Sequence, residues 1–294
     1  MVLAAASNLG LAALVALVVS ATVSGLVKFV FDDVLASRKA ARDYTYERRK
    51  ELHALVGTYD GRLLESAADL CVRMSNIVET ADPQWLIPPR GGKPPEYFLA
   101  STVFRFVALM RLAVAFDREA IYFDPDIASR HDLRCIHYAK AFQWAVTDVG
   151  LFDGLGYDPN HPTDHFFRDQ LRTISTFDLP PAQPLTFDYF EREALTTGSV
   201  QVVVDFFSSF DRQTTPLRWD RLMALQLLLA AFADGVGYDG RTKAQSEYDS
   251  IARAMVSPIV RRNLLTWIPE NIENVDKDGT NKIVQALKDA GVSD

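Results

Sequence analysis

No charged side chain occurs between Met1 and Val27, and the run from Leu9 to Phe31 (LGLAALVALVVSATVSGLVKFVF) contains only Lys28. A helix rising about 1.5 Å per residue over this length crosses the roughly 30 Å of hydrocarbon in a bilayer. No other stretch constrains the chain so much, because the polar remainder must then hang from it. A secretory signal peptide is the competing reading, with Val19-Ser20-Ala21 as its small-residue cleavage site. Yet no Lys or Arg precedes the apolar run, which continues past that site through Leu26, Val27, Phe29, Val30 and Phe31. The expectation is an uncleaved transmembrane anchor over residues 1–34.

Orientation follows from the flank. Arg38, Lys39, Arg42, Arg48, Arg49 and Lys50 stand against Asp43 and Glu47 in a basic collar over residues 35–57. Basic residues close to a span stay cytoplasmic and attract anionic headgroups. The expected placement is therefore single-pass in an inner (plasma) membrane, with the N-terminus outside and residues 58–294 in the cytoplasm. Within the span, Ala12, Ala16, Ser20 and Ser24 recur every four residues, and Ala21 and Gly25 form a second small pair beside them. Such stripes let helix backbones approach in lipid, so the expected partner is a second copy or another membrane protein.

Charge is divided unevenly. Residues 1–50 hold seven Lys and Arg against four Asp and Glu, while the rest holds 24 against 34, giving the net −7. An acidic body without a basic, aromatic-laced stripe argues against nucleic acid as a partner. Cys71 and Cys135 form no disulfide framework and read as reduced core thiols.

The body reads as all-α, a multi-helix bundle. Asp32 to Leu55 continues the membrane helix or joins a second one to it, with Gly57 and Gly61 as candidate breaks. In GRLLESAADLCVRMSNIVE (61–79), Leu63, Leu64, Ala67, Leu70, Cys71, Met74, Ile77 and Val78 make one apolar face. Residues 83–95 hold five prolines and two glycines and form a connector, as does LPPAQP (179–184); either is a candidate subdomain boundary. Phe98 to Phe116 is apolar enough to raise a second span, but Arg105 and Arg111 inside it make it a buried core helix instead. Further helices are expected over 130–149, 163–176, 186–210, 217–234, 247–267 and 281–290. The β-branched run Val200, Val202, Val203, Val204 leaves a strand open there. Asp153-Gly-Leu-Gly-Tyr-Asp158 recurs as Asp234-Gly-Val-Gly-Tyr-Asp239, which is either one helix–loop–helix unit used twice or two similar helix ends.

Few constellations carry chemistry. Arg62, Glu65, Asp69, Arg73 and Asn76 fall three or four residues apart. They read as a salt-bridged helix face or as a polar pocket with Arg105, for which Glu65 or Asp69 is the expected partner. His161, Asp164 and His165 are the densest His/Asp cluster and weak metal candidates, lacking a third ligand unless His131, His137 or Asp158 supplies it. Gly235-Val-Gly237-Tyr-Asp-Gly240 has dinucleotide-loop spacing but follows a helix instead of a strand. Asn274, Asp276, Asp278, Gly279 and Thr280 resemble half a calcium loop whose twelfth position is Gln285, or a turn that caps the last helix through Asp278 or Thr280. No HExxH, paired CxxC, phosphate-loop lysine motif or GxSxG occurs. These absences lower the odds of a common enzyme without excluding a rare one; they assign no catalytic residue, and no cofactor is expected.

The segments GRLLESAADLCVRMSNI, YFLASTVFRFVALMRLAVAFDREAIYFD and RLMALQLLLAAFAD resemble those of a loose family of bacterial proteins with one N-terminal span and a helical cytoplasmic domain. The resemblance covers about half the chain and implies that layout, with no activity, cofactor or site residue. The expectation is a membrane-anchored cytoplasmic scaffold or interaction module that self-associates through its span. The alternatives are an enzyme or small-ligand sensor around Arg105, and a membrane-associated cell-defence effector.

Overall fold

Periodicity near 3.6 without alternation leaves the backbone one way to pair its polar groups, and the computed structural model of the chain is helical throughout. It describes residues 2–80, 86, 95–160, 163–180, 182–236 and 243–291, and among them there is no strand. The side chains of residues 2–19, 21–27, 30, 32 and 33 lie outside the described part. In chain order the helices are α1 (Val2–Thr80), α2 (Tyr97–Ala120), α3 (Arg130–Thr147), α4 (Arg168–Ile174), α5 (Phe187–Phe190), α6 (Gln201–Phe207), α7 (Pro216–Val236), α8 (Gln245–Ala254), α9 (Pro258–Ile272) and α10 (Lys277–Gly291).

The chain forms two units, residues 1–51 and 52–294, divided within α1. In the first, every described side chain from Lys28 to Ala40 is exposed, including Phe29, Phe31, Val34 and Leu35. In the second, α1 contributes a stripe of Leu52, Val56, Tyr59, Leu63, Ala67, Leu70 and Met74, all essentially buried. Steps of four and three keep these residues on one side of the helix.

Two helices are buried on nearly every face. In α2, Leu99, Val103, Phe106, Val107, Met110, Ala113 and Phe116 are fully covered, by α3, α4, α5 and α6 among others. Among the described residues it is the one helix long and apolar enough to cross a membrane, and most of it lies inside the protein. In α7, every residue from Leu222 to Phe232 is buried, against α3, α8 and α10.

Buried and half-buried arginines donate to carbonyls at or near the ends of neighbouring helices. The last carbonyls of a helix have no partner within it and carry the negative end of its dipole, so a cation is favourable there. Arg221, fully buried, donates to the Ala145 and Asp148 carbonyls at the end of α3 at 2.8 and 2.9 Å. Arg134 donates at 2.9 Å to Ala231 and Phe232 in α7, and to Asp276 at 3.1 Å. Arg218 reaches the Phe206 carbonyl at the end of α6 at 2.9 Å. Asp220 works at the opposite pole, accepting from the Val256 and Ser257 amides at 2.6 and 2.7 Å where α9 begins.

Several expected bounds move. Gly57 and Gly61 do not break α1: both lie inside it, with nothing within 4 Å of where a Cβ would stand. The helix expected over 163–176 is only α4, because Thr163 to Phe167 run as loop before it. Thr186 to Phe210 is interrupted: α5 passes into a π turn at Glu191–Leu195, and a turn with Gly198 at φ +72° precedes α6. Val202, Val203 and Val204 are helical in α6, with Val200 just before it, so the strand does not form: Val203, Val204, Phe206 and Phe207 are buried in the helix. Residues 247–267 are two helices, because Pro258 starts α9 behind the extended residues Met255 to Ser257.

The two Asp-Gly-x-Gly-Tyr-Asp segments are not built alike. Gly154 and Gly156 take φ +88° and +66° in a loop, whereas Asp234 and Gly235 are still inside α7. Residues 237–240 lie outside the described part. A Cβ at Gly235 would stand 1.9 Å from an Arg134 nitrogen, so this glycine makes room for the arginine that holds the α7 end.

Candidate functional site

The polar stripe of α1 and the arginines of α2 meet at a cavity of about 220 Å³ whose lining includes Arg62, Glu65, Asp69, Arg105, Arg111 and Leu185. Arg73 is not part of it; it donates to Ser101 Oγ at 3.0 Å and lies over the Phe98 ring. The expected pairing of Arg105 with Glu65 or Asp69 does not occur: Arg105 donates to the Ser101 carbonyl one turn back in its own helix. Glu65 and Asp69 are exposed at the rim, and no ion pair joins the stripe residues to one another, so a salt-bridged helix face does not form. Arg62 and the buried Arg111 are used structurally. Arg62 donates to the Ala182 carbonyl, while Arg111 donates to those of Leu179, Pro180 and Gln183. The proline-rich connector is thus strapped down by two arginines, and burial lowers the Arg111 pKa. Motif reading missed this use of Arg111, since a carbonyl acceptor has no sequence signature.

A second cluster joins α1 to the start of α3. Asp132 and Ser129 form the capping box of α3. The adjacent His131 and the next-turn Cys135 both face α1. His131 Nε2 lies 3.2 Å from Asp60 Oδ2, and Cys135 Sγ lies 3.4 Å from Asp60 Oδ1. The Sγ and Nε2 atoms are 3.9 Å apart. Two helical turns before Asp60 in α1, His53 Nδ1 lies 3.0 Å from Asp132, whose side chain is fully buried. Burial, then the Asp60 charge, push the Cys135 thiol far above its usual range. Burial also pushes Cys71 up to about 11. Both thiols are therefore protonated, and neither is a free nucleophile. The sequence showed His131 and Cys135 but not their partner, because Asp60 lies 71 residues from His131.

His161 lies outside the described residues. His165 is buried and shares a 2.6 Å hydrogen bond with the Tyr157 hydroxyl, while Asp164 pairs with Arg218 at 3.5 Å. Neither gathers with His131 or His137, which face other partners. The calcium-like loop has its Asp276 carboxylate occupied by Arg134, Tyr138 at 2.8 Å and the Gly279 amide at 3.0 Å. Asp276 is thus the residue that caps α10, in place of Asp278 or Thr280. In the span, the side chains of Ala12, Ala16, Ala21, Ser24 and Gly25 fall outside the description, and Ser20 is exposed. In the collar, Arg38, Lys39, Arg42, Arg49 and Lys50 are exposed, and Arg48 pairs with Glu51 at 2.9 Å.

One larger cavity, about 460 Å³, was not legible in the sequence. It is lined in part by His137, Lys140, Arg168 and Arg172 around Trp144 and Trp267, whose rings stack 3.6 Å apart. Comparisons of the chain with family models, curated proteins and solved structures found no match.

Proposed function

We propose that this chain is a membrane-anchored interaction module. Residues 1–34 cross the inner membrane once with the N-terminus outside, and the acidic helical body holds partners at the cytoplasmic face. One observation carries the reading: the uncharged N-terminal stretch is helical, and Phe29, Phe31 and Leu35 just beyond it are 73, 64 and 60% exposed. Large apolar side chains so exposed on one helix call for a lipid or protein cover. The collar then sits at anionic headgroups, where each Lys or Arg contributes about 1 kcal/mol. The Ala12, Ala16, Ser20 and Ser24 stripe serves self-association. Replacing these four residues with leucine in the full chain and crosslinking native membranes tests this: loss of the crosslinked oligomer is expected, and an unchanged oligomer contradicts it.

A second reading, a small-ligand sensor, is favoured by the cavity holding Arg105, Glu65 and Asp69. A thermal-shift screen of metabolites on the full chain in detergent tests it. A shift lost in R105A with the fold intact supports it, and the absence of any specific shift rejects it.

A further inference from the structure

We propose that Asp60, His131 and Cys135 form a site for a thiophilic divalent metal ion, zinc in class, with a fourth position open to water. The three residues offer one ligand atom each, all within 4.8 Å of one another. A tetrahedral zinc with bonds of about 2.3 Å to sulfur and about 2.0–2.2 Å to nitrogen and oxygen holds its ligand atoms about 3.4–3.6 Å apart. The separations here are 3.2 Å from Asp60 Oδ2 to the imidazole, 3.4 Å from Asp60 Oδ1 to the thiol and 3.9 Å from thiol to imidazole. With one oxygen taken from Asp60, the three ligand atoms lie within 4.8 Å of one another, so side-chain adjustment about that carboxylate brings them to an ion.

The donor set selects the metal. Thiolate and imidazole favour zinc over magnesium or calcium, which prefer oxygen ligands. His131 and Cys135 are four residues apart in α3, on one face of a single turn, and Asp60 comes from the C-terminal half of α1. Ligands on two rigid helices are held in place before the ion arrives. Cys135 is buried, whereas the His131 side chain is 51% and that of Asp60 23% exposed. Solvent therefore reaches one side of the site, the arrangement that leaves a water on the ion instead of a fourth protein ligand.

Protons balance simply. The Cys135 thiol gives up its proton to solvent on forming the metal–sulfur bond, and the imidazole binds through Nε2 with its proton on Nδ1. Two negative ligands and one neutral ligand then match a doubly charged ion. Affinity rises with pH, because each ion bound releases the thiol proton. The site lies in the helical body and is independent of the membrane reading.

Cobalt(II) titrated into the chelator-treated full chain in detergent tests the proposal. One equivalent is expected to give thiolate-to-cobalt charge transfer in the near ultraviolet and intense visible bands of a four-coordinate ion, both abolished by zinc. The charge-transfer band is lost in C135S and kept in C71S. H131Q and D60N weaken binding by at least about tenfold with the helical circular dichroism unchanged. H131Q, altering a half-exposed side chain, keeps the test decisive should C135S fail to fold. No charge-transfer band in the parent chain, a band lost in C71S, or unchanged affinity in both H131Q and D60N overturns the proposal.

Discussion

At the scale of single residues, this body is stabilised by arginines placed where apolar side chains are expected. Arg221 has no solvent exposure, and burial lowers its pKa to about 10. It stays charged at neutral pH because two carbonyls accept its protons and the Phe152 ring lies 4.4 Å away. R221A leaves two buried carbonyls without donors and opens a cavity, so it should cost about 3–5 kcal/mol in chemical unfolding. R221K reaches only one carbonyl and should fall between R221A and the parent. Loss of less than about 1 kcal/mol in R221A would show that water replaces the guanidinium.

His165 makes a pH prediction of definite sign. Burial, and then Arg221, lower its pKa below 6.5. As pH falls through 6.5 the unfolded chain takes up a proton that the folded chain refuses. The stability from this residue is present above 6.5 and lost on acidification. The unfolding midpoint should therefore fall below that pH, more steeply in the parent than in H165Q.

Helices α1 and α7 differ at their glycines. Gly57 is exposed within α1 with open space around it, so G57A should stabilise by about 0.5–1 kcal/mol, the ordinary helix-interior gain. Gly235, in the last turn of α7, abuts the Arg134 guanidinium. G235A should destabilise by about 2–3 kcal/mol by forcing that arginine off the Ala231 and Phe232 carbonyls. Parallel thermal melts of the two variants should move in opposite directions, and a stabilised G235A would refute the role given to Arg134.

How legible these elements were depends on the range of the interactions. Leu63, Ala67, Leu70 and Met74 announce their helix because one face repeats within four residues. The residues that buried them needed no identification, only apolar surface. The break at Pro258 was legible in principle, since a proline at the first helical position marks a start. The π turn after α5 had no such mark. Asp60 with Cys135, Arg111 with the 179–184 connector, and Arg134 with Asp276 join positions 68 to 142 residues apart. No local pattern encodes those meetings, and the candidate site is built from them.

At the scale of the whole molecule, the chain combines an apolar helical N-terminal stretch with an acidic helical body that buries its own long apolar helix. The Arg105 and Arg111 positions explain why α2 belongs to the body: Arg111 finds its acceptors in the 179–184 connector, which lipid could not supply. The central claim is the placement of these two parts across a membrane. Protease added to intact spheroplasts and to inverted inner-membrane vesicles tests it most directly, with an antibody against residues 245–291 as the readout. The account predicts that this epitope sediments with the membrane, survives in spheroplasts and is digested in inverted vesicles. Digestion in intact spheroplasts, or recovery of the epitope in the soluble fraction, would contradict it.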